Sequence, residues 1–167
     1  MSASTLTPPV PIVLIGIHIE IGAPVAEGLR PDWDVIRFIQ TFSAAESDLP
    51  YLLRGENPPN APTNAVGSSN ISPSNPPRAI LFGRGFTQQQ AESLFAKLKD
   101  EAAAESVLWA AGAEANRPPG IASSQPPPGV EKIMVPVFRG VLEAWKGRIE
   151  KGAEEGGVRE KEGLVLF

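Results

Sequence analysis

The sequence predicts an α/β fold, a three-layer α/β/α sandwich with a mostly parallel five-stranded sheet at its centre. Short apolar segments alternate along the chain with segments of helical periodicity, and this order is typical of strands joined by helical crossovers. The apolar segments lack a polar alternation, which suits strands that are covered on both faces. A chain of 167 residues is long enough for one such domain but too short for two with separate cores.

Five apolar segments are predicted as strands. They lie at residues 11–17, 34–40, 79–82, 106–111 and 163–167. The first is a continuous apolar run, so we expect it at the centre of the sheet. The second contains Arg37, which we expect near a sheet edge or with its charged end extended towards solvent. We expect the crossovers between the parallel strands to be right-handed.

Four segments between these strands are predicted as helices. They lie at residues 22–29, 43–54, 87–105 and 135–151. Pro24 suits the first turn of the first helix, where its missing N–H group is not needed. Ser43 with Glu46, and Thr87 with Gln90, have the spacing of a capping box and predict where the second and third helices begin. The third and fourth helices have apolar stripes of the kind that lies on a sheet.

Two proline-rich segments, residues 56–77 and 116–130, are predicted to contain neither helix nor strand. A loop as long as the first one is either a functional lid or simply mobile, and we favour the mobile interpretation. Residues 1–10 are small, polar and punctuated by proline, so we expect a loose tail. Residues 11–167 then form a single α/β domain.

The composition argues against several classes of partner. The net charge is −4, and the lysines and arginines are scattered, so no patch favours nucleic acid or an anionic membrane. The chain has no cysteine and one histidine, so neither a disulfide nor a metal site is expected. The first apolar run is interrupted by His18 and Glu20, so we expect neither a signal peptide nor a membrane span. We therefore expect a cytoplasmic location.

The turn after the first strand carries a resemblance to a known family. Residues 16–22 read GIHIEIG and are followed by VAEGL at residues 25–29. Over about twenty residues this resembles the GATGxIG…VAexL opening of atypical short-chain dehydrogenases and NmrA-like proteins. The resemblance implies a Rossmann-like domain that binds NADP or another nucleotide. Ile19 replaces the middle glycine of that pattern, and Glu20 adds a negative charge beside it, so the motif is degenerate.

Two positions argue against dehydrogenase chemistry. The acid that would hold an adenosine ribose after the second strand is absent, because Gln40, Thr41 and Phe42 occupy that region. The Tyr-x-x-x-Lys pair of these dehydrogenases is also missing, since the single tyrosine, Tyr51, is followed four residues later by Gly55. Whether the chain is an enzyme is therefore left open.

The candidate site follows from the parallel sheet, because ligands of such folds lie at the carboxyl ends of the strands. The residues predicted at this edge are Gly16, His18, Glu20, Gly22, Ser43, Gly83, Arg84, Gly85 and Gly112. Arg84 could bind a phosphate or carboxylate, or be an ordinary surface arginine. His18 could be an oriented base, or a turn histidine held by hydrogen bonds.

Three hypotheses for function remain. The first is a domain that binds an anionic small molecule or nucleotide at the strand ends, without dehydrogenase chemistry. The second is a homo-oligomeric assembly module, such as a dimer formed through the exposed edge of the last strand, GLVLF, with a vestigial crevice. The third is an NAD(P)-dependent reductase. The strand order is also open between 3-2-1-4-5, as in Rossmann-like folds, and 2-1-3-4-5, as in flavodoxin-like folds.

Overall fold

A computed structural model describes residues 6–83, 85–102, 107–112, 129–154 and 164–167. Within these residues the sheet has five strands, and every neighbouring pair is parallel. The strands are β1 (Val10–Ile15), β2 (Trp33–Ile39), β3 (Ala79–Phe82), β4 (Leu108–Ala111) and β5 (Leu164–Leu166). The predicted parallel five-stranded sheet is confirmed.

In the described part of the chain, four α-helices cover the two faces of the sheet. They are α1 (Ile19–Gly28), α2 (Phe42–Leu53), α3 (Gln88–Leu98) and α4 (Val130–Glu154). One apolar core lies between the sheet and the pair α1 and α4, and the other lies between the sheet and the pair α2 and α3. The predicted three-layer α/β/α sandwich is therefore confirmed.

The strand order is β2-β1-β3-β4-β5, which is the flavodoxin-like one of the two orders left open by the sequence. From β1 the chain first moves to one side, to β2, and then crosses to the other side for β3 and β4. The direction reverses between β1 and β3, where Ile12 pairs with Ala79 and Ile15 with Phe82. Diverging loops leave a crevice at such a reversal.

The last crossover has the opposite hand from the other three. The connection from β1 to β2 passes over one face of the sheet through α1. The connections from β2 to β3 and from β3 to β4 run in the opposite direction along the sheet and over the opposite face, through α2 and α3. Because both the direction and the face are reversed, these three connections have the same hand. The connection from β4 to β5 continues in the second direction but returns to the α1 face through α4. The expectation of right-handed crossovers throughout is therefore wrong for this connection.

Burial explains why α4 lies on the α1 face. Since α2 and α3 both cover the other face, α1 alone would leave the apolar side chains of β3 and β4 open to water on its side. Met134, Phe138 and Trp145 of α4 pack in the same core as Leu81 and Leu108, and all five are buried. Covering this apolar area is worth about 25 cal/mol per Å².

Helices α1 and α4 begin several residues earlier than the sequence predicts. Helix α1 starts at Ile19, three residues before the expected Gly22, because the carbonyl oxygen of His18 already accepts a hydrogen bond from the Gly22 N–H group at 2.9 Å. Pro24 consequently lies inside the helix and not in its first turn. Helix α4 starts at Val130, within the second proline-rich segment, whose residues 116–128 lie outside the described part of the chain.

One predicted capping box is confirmed and the other is wrong. Thr87 and Gln90 cap α3 reciprocally, each side chain accepting a hydrogen bond from the other's backbone N–H group. Helix α2 begins instead with Thr41, whose hydroxyl oxygen accepts a hydrogen bond from the Ala44 N–H group at 3.1 Å. Glu46, the expected partner of Ser43, forms an ion pair with Lys97 of α3 (2.9 Å).

The first proline-rich segment contains no helix or strand, as predicted, but it is docked along the outer edge of β2. The N–H groups of Ser68 and Ser69 donate to the carbonyl oxygens of Val35 and Ile36 at 2.9 and 3.1 Å. The Asp34 carboxylate accepts hydrogen bonds from the Ser68 hydroxyl and from a further side chain of the segment, so the otherwise open edge is covered.

Arg37 lies in an edge strand, as predicted, but it is not extended towards solvent. Its relative exposure is 5%, and its Nε atom is buried without a hydrogen-bond partner within the described residues. The docked segment covers β2 at this point, since the backbone of Gly67 approaches those of Ile36 and Arg37. The tail also differs from expectation, because Leu6 is buried in the core. No described helix is long and apolar enough to cross a membrane.

Candidate functional site

A cleft opens at the carboxyl ends of β1 and β3, at the reversal of strand order, and we call it the switch-point pocket. It is lined by Leu14, Ile15, Gly16, Ile17, His18, Ile21, Gly22, Val25, Phe38, Gly83, Gly85, Val130, Met134 and Phe138. The start of α1 forms one wall and the start of α4 another. The pocket thus lies where ligands bind in open α/β sheets.

The switch-point pocket is small and mainly apolar. Its volume is about 40 Å³, whereas drug-sized ligands fill sites of about 300–1,000 Å³. A cleft of this volume has room for one end of such a ligand and not for the whole of it. Among the described lining residues, His18 is the single one with a titratable side chain.

Phe38 gives two of the pocket glycines a packing role. A β-carbon on Gly22 would lie 2.4 Å from the Cζ atom of the Phe38 ring, and one on Gly16 would lie 3.2 Å from its Cε1 atom. Any side chain at residue 22 would overlap this ring, because protein interiors are close-packed. The spacing of these glycines fits a turn that must accept an aromatic ring from β2.

The turns after β1 and β3 pack directly on each other. A β-carbon on Gly85 would lie 2.9 Å from Cδ1 of Ile17, and the Gly83 N–H group donates to the carbonyl oxygen of Ile15 at 2.7 Å. Gly83 and Gly85 therefore bring the two turns together, and Ile17 lies at the contact. Arg84, between these glycines, lies outside the described residues.

His18 is the N-cap residue of α1, and its side chain makes no capping hydrogen bond. Its carbonyl oxygen accepts from the N–H groups of Ile21 and Gly22. The N–H groups of Ile19 and Glu20 donate no hydrogen bond to any described residue. Such free donors give a helix N-terminus a partial positive charge, which favours anions. The polar side chain of the lining is therefore the half-buried His18, and the free N–H groups of this helix start follow it directly in the sequence.

One exposed apolar side chain belongs to the pocket lining. Ile17 is 45% exposed and lies at the mouth. Ile19 (41% exposed) and Ile133 (62% exposed) directly follow or precede lining residues in the sequence but do not line the pocket themselves. Isolated exposed isoleucines are ordinary on protein surfaces, so Ile17 matters here because of the apolar cleft beside it.

Three of the residues predicted at the strand ends are described by the structure but do not line the pocket. Glu20 lies in the first turn of α1, where it is exposed. Ser43 belongs to α2, which covers the other face of the sheet. Gly112 follows β4, one strand beyond the pocket. The structure instead brings together the remaining described members of the predicted set, which are Gly16, His18, Gly22, Gly83 and Gly85.

The sequence does not identify the apolar walls of the pocket. Val130 and Met134 lie outside the predicted fourth helix, which begins at residue 135. Phe138 belongs to the apolar stripe of that helix, which predicts a core position. Phe38 fits an ordinary buried strand. Apolar residues at such positions give no sequence signal that separates a pocket wall from a core.

A pair of amide side chains supports the turn after β1. The Nε2 atom of Gln40 donates to the carbonyl oxygen of Ile17 at 2.9 Å. The Nδ2 atom of Asn64 lies within hydrogen-bond distance of the Phe38 carbonyl oxygen (3.0 Å) and of the Gln40 Oε1 atom (3.2 Å). The docked proline-rich segment is thereby connected to the pocket.

Comparisons with known proteins leave the family open. No family model matches the chain, and no solved structure does so either. Over 94 residues the chain is 30% identical to "Kojic acid related protein 6" from Aspergillus oryzae (strain ATCC 42149 / RIB 40). The match covers 55% of this chain and 54% of that protein, so it spans about half of the relative's length. The resemblance of residues 16–29 to NmrA-like proteins stays a prediction.

Proposed function

We propose that the chain is a small-molecule binding domain. The ligand inserts an apolar ring or chain into the switch-point pocket and places a polar or anionic group at the start of α1. The observation that carries this proposal is an apolar cleft at the reversal of strand order with the exposed Ile17 at its mouth. Clefts of that kind, with few polar groups, are the usual form of ligand sites.

The apolar walls supply affinity. Ligand atoms that enter between Met134, Phe138 and Phe38 leave water at a gain of about 25 cal/mol per Å² of apolar surface. Ile17 of the lining is already exposed at the mouth, so covering it adds to the same gain. Both contributions favour a ligand with a ring or a branched chain over a simple inorganic anion.

The start of α1 supplies orientation. The free N–H groups of Ile19 and Glu20 and the imidazole of His18 are donors for a phosphate, carboxylate or phenolate. A nucleotide whose ring enters the pocket meets both requirements, so NADP and other nucleotides belong to the proposal. The relative's name concerns kojic acid, a small oxygen heterocycle, and that compound is a second kind of candidate.

Binding without dehydrogenase chemistry is the form of the proposal that the residues support best. Proton transfer needs a positioned acid or base, and often a second group that orients it. Among the described lining residues, His18 has this capacity, and no described carboxylate or hydroxyl side chain lines the pocket beside it. His18 is therefore proposed as a residue that contacts the ligand. Turnover measured in His18→Gln would show whether it has a catalytic role as well.

The test uses the dye 8-anilinonaphthalene-1-sulfonate, which has an apolar ring system and an anionic group. We expect saturable binding of one dye per chain, measured by fluorescence. Ile17→Glu should weaken binding by about fivefold or more, because a carboxylate at the mouth is poorly solvated beside the ring. Leu166→Glu is the matched control, since Leu166 is 41% exposed but lies on β5, away from the pocket. The dye affinity of this variant should stay within about twofold of that of the unaltered chain.

The same variants allow the candidate natural ligands to be compared. Kojic acid, NADPH, NADH, ATP and flavin mononucleotide would each be added in a thermal-shift assay, because a ligand of the native state raises the melting temperature. A true pocket ligand displaces the dye and loses its effect in Ile17→Glu. Equal dye binding by Ile17→Glu and Leu166→Glu would contradict the proposal.

A second candidate function is self-association through β5. This strand lies at the edge of the sheet, no described strand pairs with its outer side, and Leu166 is exposed. An open apolar edge is a template for pairing with another chain. A dimer mass in analytical ultracentrifugation that becomes a monomer mass in Leu166→Lys would support it, and a monomer mass for the unaltered chain would rule it out.

A further inference from the structure

The C-terminal end of β2 holds a chain of hydrogen bonds that no function yet explains. Both ends of the Gln40 amide are used: Nε2 donates to the Ile17 carbonyl oxygen (2.9 Å), and Oε1 accepts from Nδ2 of Asn64 (3.2 Å). The Oδ1 atom of Asn64 accepts from the Val66 N–H group at 3.0 Å. Three parts of the chain that are far apart in sequence, the β1–α1 turn, β2 and the proline-rich segment, are thereby joined.

Ile17 is the point at which this chain of bonds reaches the pocket. Its side chain lines the mouth and packs against Gly85 of the β3–α3 turn. Its backbone oxygen is held by Gln40. A shift of this peptide group would move the isoleucine side chain, and with it the contact between the two turns that form the pocket.

The other end of the chain of bonds sets the position of the proline-rich segment. Asn64 and Val66 lie four and two residues before Ser68, and the N–H groups of Ser68 and Ser69 bond to the outer edge of β2. Gly67 lies between them with φ of +103°, and a β-carbon there would meet the Ile36 carbonyl group at 3.0 Å. Docking therefore depends on a close approach that glycine alone permits without strain.

We infer that Gln40 is a positioning residue that couples ligand binding in the switch-point pocket to docking of residues 64–69 on β2. The inference rests on the proposed function, because it needs a ligand that contacts Ile17. A ligand that fixes Ile17 also fixes the Gln40 amide, which in turn holds Asn64. Such coupling is reciprocal, so undocking the segment weakens ligand binding by the same factor.

The size of the effect follows from the bonds involved. A net contribution of about 0.5–1.5 kcal/mol for one hydrogen bond corresponds to a change in affinity of about two- to tenfold. We expect Gln40→Leu to weaken dye binding within that range. Gln89→Leu is the matched control, since Gln89 is exposed on α3 and makes no hydrogen bond to a described residue, and its affinity should not change.

Hydrogen exchange supplies a readout that a purely structural role of Gln40 would not move. In the unaltered chain, saturating dye should slow exchange of the Ser68 and Ser69 amide hydrogens, which lie on the far side of β2 from the pocket. In Gln40→Leu this dye-dependent slowing should be lost. Gln40→Glu provides a second variant of nearly the same shape, which keeps the acceptor for Asn64 and loses the donor to Ile17.

Gly67→Ala completes a double-mutant cycle. It should weaken dye binding in the unaltered chain and have a clearly smaller effect in Gln40→Leu, because the link through Gln40 is already broken and only the bond from Asn64 to the Phe38 carbonyl oxygen (3.0 Å) remains. If the unaltered chain does not bind the dye, the proposed function fails. If it binds the dye, while both Gln40 variants keep full affinity and the dye-dependent slowing of exchange, the coupling is refuted and the proposed function stands.

Discussion

Gly22 and Phe38 are the residue pair that shapes the pocket wall. Alanine at residue 22 would place its β-carbon 2.4 Å from the ring, so the ring or α1 must move. Overpacking of this kind costs about 1–3 kcal/mol. We expect Gly22→Ala to lower the free energy of unfolding by that amount in chemical denaturation. In a chain that already carries Phe38→Leu the ring is gone, so adding Gly22→Ala should cost much less.

Gly147 supplies the control for this substitution. It lies in α4, and no atom would lie within 4 Å of a β-carbon added there, so alanine meets nothing. Because alanine is the better helix former by about 1 kcal/mol, Gly147→Ala should stabilise the protein. Equal effects of the two glycine substitutions would show that Phe38 does not occupy the space next to α1.

Arg37 is a buried cation whose Nε atom has no partner within the described residues, at a relative exposure of 5%. Removing such a charge in favour of an apolar side chain of similar length is often neutral or stabilising. Arg37→Met should therefore raise the free energy of unfolding by about 1 kcal/mol or more. Arg30→Met, at an exposed site, should change it by less than about 0.5 kcal/mol. Marked destabilisation by Arg37→Met would show that an anion compensates the guanidinium.

At the scale of elements, two neighbouring hydroxyl residues distinguish the observed start of α2 from the predicted one. Thr41 accepts the capping hydrogen bond from Ala44, whereas Ser43 is exposed within the first turn. Thr41→Ala should cost about 1 kcal/mol, because an unpaired N–H group is left at the helix start. Ser43→Ala should be neutral or slightly stabilising, and the reverse order in thermal melts would place the helix start at Ser43.

The placement of α4 on the α1 face can be tested through Arg139. Its guanidinium donates to the carbonyl oxygen of Gly28 at the end of α1 and pairs with Asp32 at 3.3 Å. Arg139→Ala should lower the free energy of unfolding by about 1–2 kcal/mol, since the pair is partly exposed. Lys132→Ala, at an exposed site on the same helix, should have almost no effect. If both variants are equally stable, α4 does not contact α1 in this way.

At the scale of the whole molecule, the sequence predicted the layers because they depend on local patterns. The apolar run from Ile12 to Ile15 and the Thr87–Gln90 capping box are both set by neighbouring residues, and both are confirmed. The strand order and the hand of the last crossover depend on which face still needs cover. That requirement is a property of the assembled sheet, so no local pattern indicates it.

The candidate site, like the fold, was predictable only where it depends on local sequence patterns. Parallel strands share a carboxyl edge, so Gly16, His18 and Gly83 could be expected near one another, and the structure places them at one pocket. The pocket walls and the bond from Gln40 to Ile17 join residues that are far apart in sequence. Their partners are fixed only once the sheet and α4 are in place.

The most direct test of the switch-point pocket is to map the dye by nuclear magnetic resonance of the isotope-labelled chain. The backbone amides of Gly16, Gly22 and Gly85 lie in the pocket lining, while those of Gly140 and Gly147 lie on an open face of α4. We predict that adding the dye shifts the first three amide signals and leaves the last two in place. Unchanged signals from the three pocket glycines at saturating dye, with shifts elsewhere, would contradict a ligand site at this reversal of strand order.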